Sequence, residues 1–386
     1  MNALTAVFAS LALASQAIPA DRLFDADGRV MKDDFFPIAV WLQSPHNAAR
    51  YKAAGINLYV GLWNGPTEAQ LADLAKSGMP AICDRNEVAL KHAADPLIAG
   101  WMHGDEPDNA QELPGGKGYG PPILPEKILA DYRRLRAADP TRPVLLNLGQ
   151  GVAWDDYIGR GVRRRHPEDY REYVKGCQIA SFDIYPVNHD SPEVRGKLEY
   201  VPAGVQRLRG WAGNDRTVWN CIECTGIGRP DGRPTPAQVR SEVWMSLIAG
   251  SRGIIYFVHR FKPTFREAAL LDDPEMLAAV AEINRQLKEL APVLNSPSIS
   301  EGATVTASDA NAKLATMLKR RGREAWLFVA NLQASPVRAE LAVTGAKDDH
   351  AGVLGEARKI DAPHGRWSDD FPAYGVHIYR LSVEKK

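Results

Sequence analysis

Gly100-Trp101-Met102-His103-Gly104-Asp105-Glu106-Pro107-Asp108 reads as a buried strand that runs into a cluster of carboxylates. Residues 97–102 are apolar or aromatic and belong in a core, while Asp105, Glu106 and Asp108 follow where the strand gives way to a loop. A carboxyl held at the mouth of an apolar scaffold loses water and feels its neighbours' charge. Both effects raise its pKa towards the range of a general acid working near neutral pH. The same residues would also serve as a solvated acidic turn or a helix cap, so the rest of the chain has to decide.

The flanking sequence is repetitive. Short, nearly continuous apolar runs at 36–43, 56–63 and 79–84 precede the central stretch, and runs at 143–149, 178–187, 217–224 and 253–259 follow it. Helical segments at 45–54, 67–77, 125–138, 167–174, 201–211, 235–249 and 274–290 separate them, punctuated by stops such as Gly55 and Gly78 and by the start signal Pro234-Thr235-Pro236. Continuous apolar strands alternating with amphipathic helices mean parallel strands buried on both faces. Eight such units close an α/β (β/α)8 TIM barrel, expected over 18–296. From 297 onward the pattern changes to short alternating strands at 303–307, 313–319, 324–330, 337–343 and 374–381, which predict a small C-terminal antiparallel β-sandwich over 297–386. The length of 386 residues suits a barrel of about 250 residues with an appended module.

With 47 basic and 47 acidic residues the formal net charge is zero, so no global field draws the chain to nucleic acid or an anionic membrane. Residues 1–17 read as a secretory signal peptide, with an apolar run at 4–14 and Ser15-Gln16-Ala17 as the cleavage site. A secreted or periplasmic protein is expected; the other reading of this segment is an N-terminal extension. No later run reaches about 18 apolar residues, so no membrane span is expected. Cys83, Cys177, Cys221 and Cys224 are an even number that export would allow to pair, and Cys177 with Cys224 is one of three connectivities. Cys221-Ile222-Glu223-Cys224 lies in an extended strand, whereas a redox Cys-x-x-Cys sits at a helix N-terminus.

Chemistry in such barrels lies at the C-terminal ends of the strands. Those ends supply Trp41, Trp63, Asp84, Asp105 with Glu106, Asn147, Asp183 with Tyr185, Glu223, and His259 with Arg260. Glu223 stands in an apolar strand, where a lone carboxylate needs hydrogen bonds, a function, or an ion pair with Arg229 or Arg260. Trp41 and Trp63 offer faces for a sugar ring or for barrel packing. Asn147 can donate and accept at a hydroxyl or satisfy loop backbone. His103 and His259 have no third ligand at a recognisable spacing, so hydrogen bonding is expected of them and no metal. The basic run at 160–165 reads as a solvated loop or a face for an acidic glycan.

Two carboxylates across a barrel mouth are what glycoside hydrolysis requires. At this point the chain resembles the glycoside hydrolases of clan A over residues 36–290, with Glu106 after strand four and Glu223 ending strand seven. The resemblance implies a retaining double displacement with Glu106 as acid/base and Glu223 as nucleophile. It further implies a Tyr185 that orients Glu223. From their places at the strand ends, Trp41, Trp63, His103, Asp105, Asn147, Asp183, Tyr185 and His259 are the expected substrate contacts. Asp105 departs from the asparagine that often precedes the acid/base. The expected partner is a carbohydrate substrate, with no cofactor. The rival reading is a catalytically inactive barrel that binds glycans or serves a structural role; a lyase or isomerase would need a metal cluster, a phosphate loop or a Schiff-base lysine at a strand end.

Overall fold

Each continuous apolar run forms a parallel strand in the computed structural model, which describes residues 22–229 and 231–384; the expected leader at 1–17 lies outside them. The strands are β1 (Ile38–Trp41), β2 (Leu58–Val60), β3 (Ala81–Cys83), β4 (Ile98–Met102), β5 (Val144–Leu148), β6 (Ile179–Phe182), β7 (Thr217–Val218), β8 (Asn220–Glu223) and β9 (Ile254–Phe257). β7 and β8 are the two halves of one strand divided at Trp219. The first half pairs with β6 and the second with β9, and β9 pairs with β1, so the sheet closes on itself as an eight-position barrel.

Alternation divides every strand into two faces. Ala39, Trp41, Leu58, Val60, Ile82, Leu145, Ile179, Trp219, Cys221 and Ile255 fill the barrel interior. Ile38, Val40, Tyr59, Leu146, Phe182, Ile222 and Tyr256 face the surrounding helices. Phe24 closes the bottom of the barrel, packed on Trp219 with ring centroids 5.7 Å apart. The helices follow their sequence signals. α2 (Glu68–Ser77) starts at a capping box between Thr67 and Gln70 and ends at Gly78 in the left-handed region. α7 (Pro236–Ala249) starts at the corresponding box of Thr235 and Gln238. α8 (Pro274–Leu294) ends the barrel portion.

Nine further strands follow α8, four more than the sequence pattern predicts. A six-stranded sheet contains β12 (Leu314–Arg321), β13 (Glu324–Asn331) and β18 (Val376–Ser382), and a three-stranded sheet contains β14 (Val337–Val343) flanked by two others. The strands missed by sequence include His350–Val353 and Arg358–Asp361, whose short polar faces carry too little alternation to register. Leu327, Val329, Leu341, Trp367 and Tyr379 pack between the two sheets. The opposite face of β13 and β18 turns towards the barrel, where Trp326, Phe328 and Ile378 join the barrel's own outer core.

That junction is specific. Trp244 of α7 is fully buried against Phe328, with ring centroids 5.8 Å apart. Arg240 donates to the carbonyl of Val376 at 2.9 Å and Ser241 to that of Tyr374 at 2.7 Å. The Tyr374 hydroxyl returns to the barrel, donating to Glu199 at 2.6 Å. Barrel and sandwich therefore share one apolar core and are expected to unfold in one denaturant transition. Trp244→Ala should lower the unfolding free energy by about 3–5 kcal/mol; two separate transitions in the unaltered protein would contradict the shared core.

Candidate active site

The end of β4 turns sharply at Glu106, whose φ of +41° lies in the left-handed region that residues other than glycine rarely adopt. Asp108 holds this turn. Its carboxylate is fully buried, accepts from the Gly149 N–H at 2.9 Å and the Tyr170 hydroxyl at 2.8 Å, and lies 4.0 Å from the Arg160 guanidinium. The loop after β4 is thus tied to the loop after β5. A Cβ on Gly149 would stand 2.9 Å from Glu106 Oε1 and 2.6 Å from Asn109 Oδ1, so only glycine leaves the Glu106 carboxyl its place.

Side chains from β4, β5 and β6 converge on that carboxyl. The Ser181 hydroxyl donates to Asn147 Oδ1 at 2.7 Å, which fixes the amide so that its Nδ2 donates to Asp105 Oδ1 at 3.0 Å. Asp105 keeps contact with solvent although protein surrounds it; loss of water pushes its carboxyl up to about 6 against the lowering effect of Asn147. Glu106 is partly exposed. Loss of water, then the charges of Asp183 and Asp105, hold its carboxyl well above the usual carboxylate range, and it hydrogen-bonds to Asp183. Asp183 is pushed up to about 7, chiefly by burial, while hydrogen bonds from Glu106 and Tyr185 act in the opposite direction. Two facing carboxyls cannot both ionise cheaply, so burial and the Asp183 charge together hold Glu106 above the usual carboxylate range. Tyr157, from the loop after β5, lies beside this pair.

Glu223 stands apart from this group. It is fully buried, and both its oxygens are occupied: Oε1 by the Val187 N–H at 2.6 Å, Oε2 by the N–H and Nδ2 of Asn188 at 3.0 and 2.6 Å. Its neighbouring acid is Glu242 of α7, whose carboxyl burial and the Glu223 charge keep well above the ordinary range; burial brings Glu223 itself to about 7. The rings of Tyr185 and Phe257, 5.1 Å apart, meet across the strand that carries Glu223. Glu223 is thus held by Val187 and Asn188, and among the described residues it makes no ion pair with Arg229 or Arg260. Tyr185 meets Asp183 instead of Glu223.

The remaining candidates divide in the same way. His259 lies on the mouth side, tilted against Phe257 with ring centroids 4.9 Å apart, with Gln43 Nε2 donating to its Nε2 at 3.1 Å. Because Tyr51 donates to the Gln43 oxygen, that amide orientation leaves His259 neutral, in accord with a pKa lowered to about 4 by burial. Trp41 is interior packing at 4% exposure, whereas Trp63 is 67% exposed in the loop after β2. His103 faces the helices, donating to the Gly176 carbonyl at 2.8 Å in a recess with Arg85 and Asp131, because the strand's alternation turns it away from the interior. The four cysteines are free and buried: Cys177 donates to the Val174 carbonyl and Cys224 to that of Phe257, so the Cys177–Cys224 pairing is not made. The basic run is not a solvated loop throughout. Arg160 is 1% exposed, and Arg160 and Arg163 pair with Asp169 while Arg164 and Arg165 pair with Asp156.

Sequence reading placed Asp108 in the opening cluster without its anchoring role and passed over Gly149, Tyr157, Tyr170 and Glu242. Glu242 was visible as the one acid in the apolar helix Val239, Val243, Trp244, Leu247.

No family model matches the chain, and no curated protein matches it. Solved structures do. AmyP in complex with maltotriose aligns with a TM-score of 0.55 at 11% identity, covering 92% of this chain and 98% of that one. A Bacteroides fragilis protein provisionally assigned as an alpha-galactosidase gives 0.56 at 10% identity, over 92% and 81% of the two chains. Alpha-amylase from Geobacillus thermoleovorans, complexed with acarbose, gives 0.52 at 12% identity, over 92% and 99%. The chain shares the fold of these glycoside hydrolases: a TIM barrel followed by a C-terminal β-domain. Among the described residues no helix is long and apolar enough to cross a membrane.

The sealed pair gives a test of this geometry. Between about pH 4.5 and pH 7 the native Glu223–Glu242 pair holds a proton that the unfolded chain releases, so this pair makes stability fall as pH rises through that window. Glu242→Gln, whose amide donates as the protonated acid does, should keep the fold to within about 1 kcal/mol and flatten that pH slope. Glu223→Leu, which orphans the donors at Val187 and Asn188, should cost about 3 kcal/mol. Urea denaturation at several pH values reads all three.

Proposed function

We propose that the protein is a glycoside hydrolase that cleaves O-glycosidic bonds of an oligo- or polysaccharide at the barrel mouth, with Glu106 as the proton donor. The observation that carries this reading is the pairing of Glu106 with Asp183 at accessible strand ends of a glycosidase fold, where burial raises both carboxyls and the Asp183 charge raises Glu106 further. A general acid near neutral pH needs a carboxyl that stays protonated there, and the facing Asp183 supplies the reason. Substrate binding has to part Glu106 from Asp183 to the separation of about 5–5.5 Å that a retaining pair spans, so that Glu106 donates to the oxygen of the glycosidic bond instead. As that bond breaks, Glu106 gives up its proton, and the Asp183 carboxylate faces the positive charge that develops at the anomeric carbon.

In this reading the double displacement uses Asp183 as the attacking carboxylate, since Glu223 is committed to Val187, Asn188 and Glu242. Glu106 then takes a proton from the water that releases the sugar, and the product retains its anomeric configuration. Tyr185 holds Asp183 in place, Asn147 holds Asp105, and Trp63 with the aromatic rings after β9 offers faces for sugar rings. Residues 1–17 would act as a secretory leader, placing the mature chain outside the cytoplasm. The sealed Glu223 favours one rival, a barrel that binds glycans without cleaving them.

A hydrolysis screen on aryl glycosides and polysaccharides separates the two. Glu106→Gln should lower kcat/KM by about 10³-fold without loss of folding stability, and the first-formed hemiacetal should show retention by proton NMR. The wild-type rate should fall on the alkaline side as Glu106 ionises, and Asp183→Asn, which removes the attacking carboxylate, should abolish turnover while the protein stays folded. Turnover unaffected by Glu106→Gln, or absent across the whole panel, would contradict the proposal.

A further inference from the structure

The positive charges on the mouth side are unevenly matched. Those of the 160–165 run are engaged by Asp156 and Asp169, each of which takes two arginines. The loops after β8 and β9 differ. They bring Arg229, Arg233, Arg260 and Lys262 around a cavity of about 430 Å³ that Thr225, Asp272 and Asp273 also line, so the bases outnumber the acids by two. Arg233 is engaged by Asp273 and Glu275. Arg229 reaches Asp231 at 2.6 Å and Asp190 at 3.6 Å, but both acids are strongly exposed, and its own Nε is buried without a partner. Arg260 has its Nε buried without a partner and, like Lys262, makes no ion pair among the described residues. An unpaired guanidinium enclosed in a cavity holds hydrogen-bonding capacity that a ligand can take up.

The cavity is anchored and connected to the catalytic cluster. The Phe261 N–H donates to the Ile227 carbonyl at 2.7 Å, fastening one loop to the other, and paired backbone hydrogen bonds between Arg260 and Arg266 fold the second loop on itself. Aromatic rings run from one site to the other: Tyr185, which bonds Asp183, lies 5.1 Å from Phe257, and Phe257 lies 6.2 Å from Phe261. Phe261 and Phe265 are 51% and 56% exposed, and such faces suit successive sugar rings. A cavity of this size holds about one substituted sugar unit.

We propose that this cavity is a subsite for an oxyanion carried by the glycan, a carboxylate or a sulfate, so that the substrate is an acidic polysaccharide. Arg260 presents its planar fork to the anion, Lys262 adds a point charge, and Arg229 supplies the buried Nε. The proposal rests on the glycosidase reading, and the test keeps the two apart by measuring binding in Glu106→Gln protein and turnover in wild type. Calorimetry would compare oligogalacturonides with their methyl esters, and sulfated galactan oligosaccharides with their desulfated forms.

One acidic form should bind at least about tenfold tighter than its neutral counterpart, with an advantage that shrinks as salt is raised. Arg260→Gln combined with Lys262→Gln should remove the advantage while leaving the melting temperature unchanged. Preference for the galacturonide identifies a carboxylate subsite, and preference for the sulfated galactan a sulfate subsite. No preference in either pair, or a preference that survives the double substitution, overturns the proposal. Selective binding of an acidic oligosaccharide that the wild-type protein leaves intact would support the subsite and overturn the hydrolase reading alone.

Discussion

The buried carboxylate of Asp108 is the constraint on which the mouth of the barrel depends. One acid, enclosed with an arginine, a tyrosine hydroxyl and a backbone N–H, fastens the loop after β4 to the loop and helix that follow β5. Burying such a charge is costly unless every lone pair is met, and here the partners come from Gly149, Arg160 and Tyr170 together. The arrangement therefore forms only when the whole segment is in place. It makes the unusual backbone at Glu106 sustainable, because the surrounding structure determines that conformation several times over.

Two carboxyl pairs with the same internal chemistry serve opposite ends in this fold. Glu223 and Glu242 meet in a sealed space between β8 and α7, where backbone and amide donors occupy the Glu223 carboxylate. Glu106 and Asp183 meet where solvent still reaches. Burial raises both pairs, yet only the second can exchange its proton with a bound molecule. The raised pKa alone does not distinguish a site from a structural latch; access does.

The barrel was legible because eight apolar runs are separated by amphipathic helical segments, a periodicity that few other folds satisfy. Glu106, Asp105, Asn147, Asp183 and Tyr185 were legible for the same reason: counting strands places their residues at the mouth. What the count does not reveal is where a side chain points once the strand has ended. Glu223 shares the inward register of Phe257, but the Val187–Asn188 backbone, brought alongside by the loop after β6, captures it. That encounter is set by long-range packing and leaves no trace in local pattern. His103 failed differently: simple alternation already turns it outward, and its nearness to the acids in sequence was misleading. The short strands of the sandwich escaped because their polar faces do not alternate.

The account stands or falls on a carboxyl that remains protonated at the mouth near neutral pH. Infrared difference spectroscopy of the wild-type protein against Glu106→Gln, across pH 5 to 9, observes that proton directly. The account predicts a protonated-carboxyl band that persists at pH 7 in the wild type, is missing from the variant, and titrates well above the usual carboxylate range. A spectrum in which the two proteins match at pH 7 would show Glu106 ionised and would contradict the account.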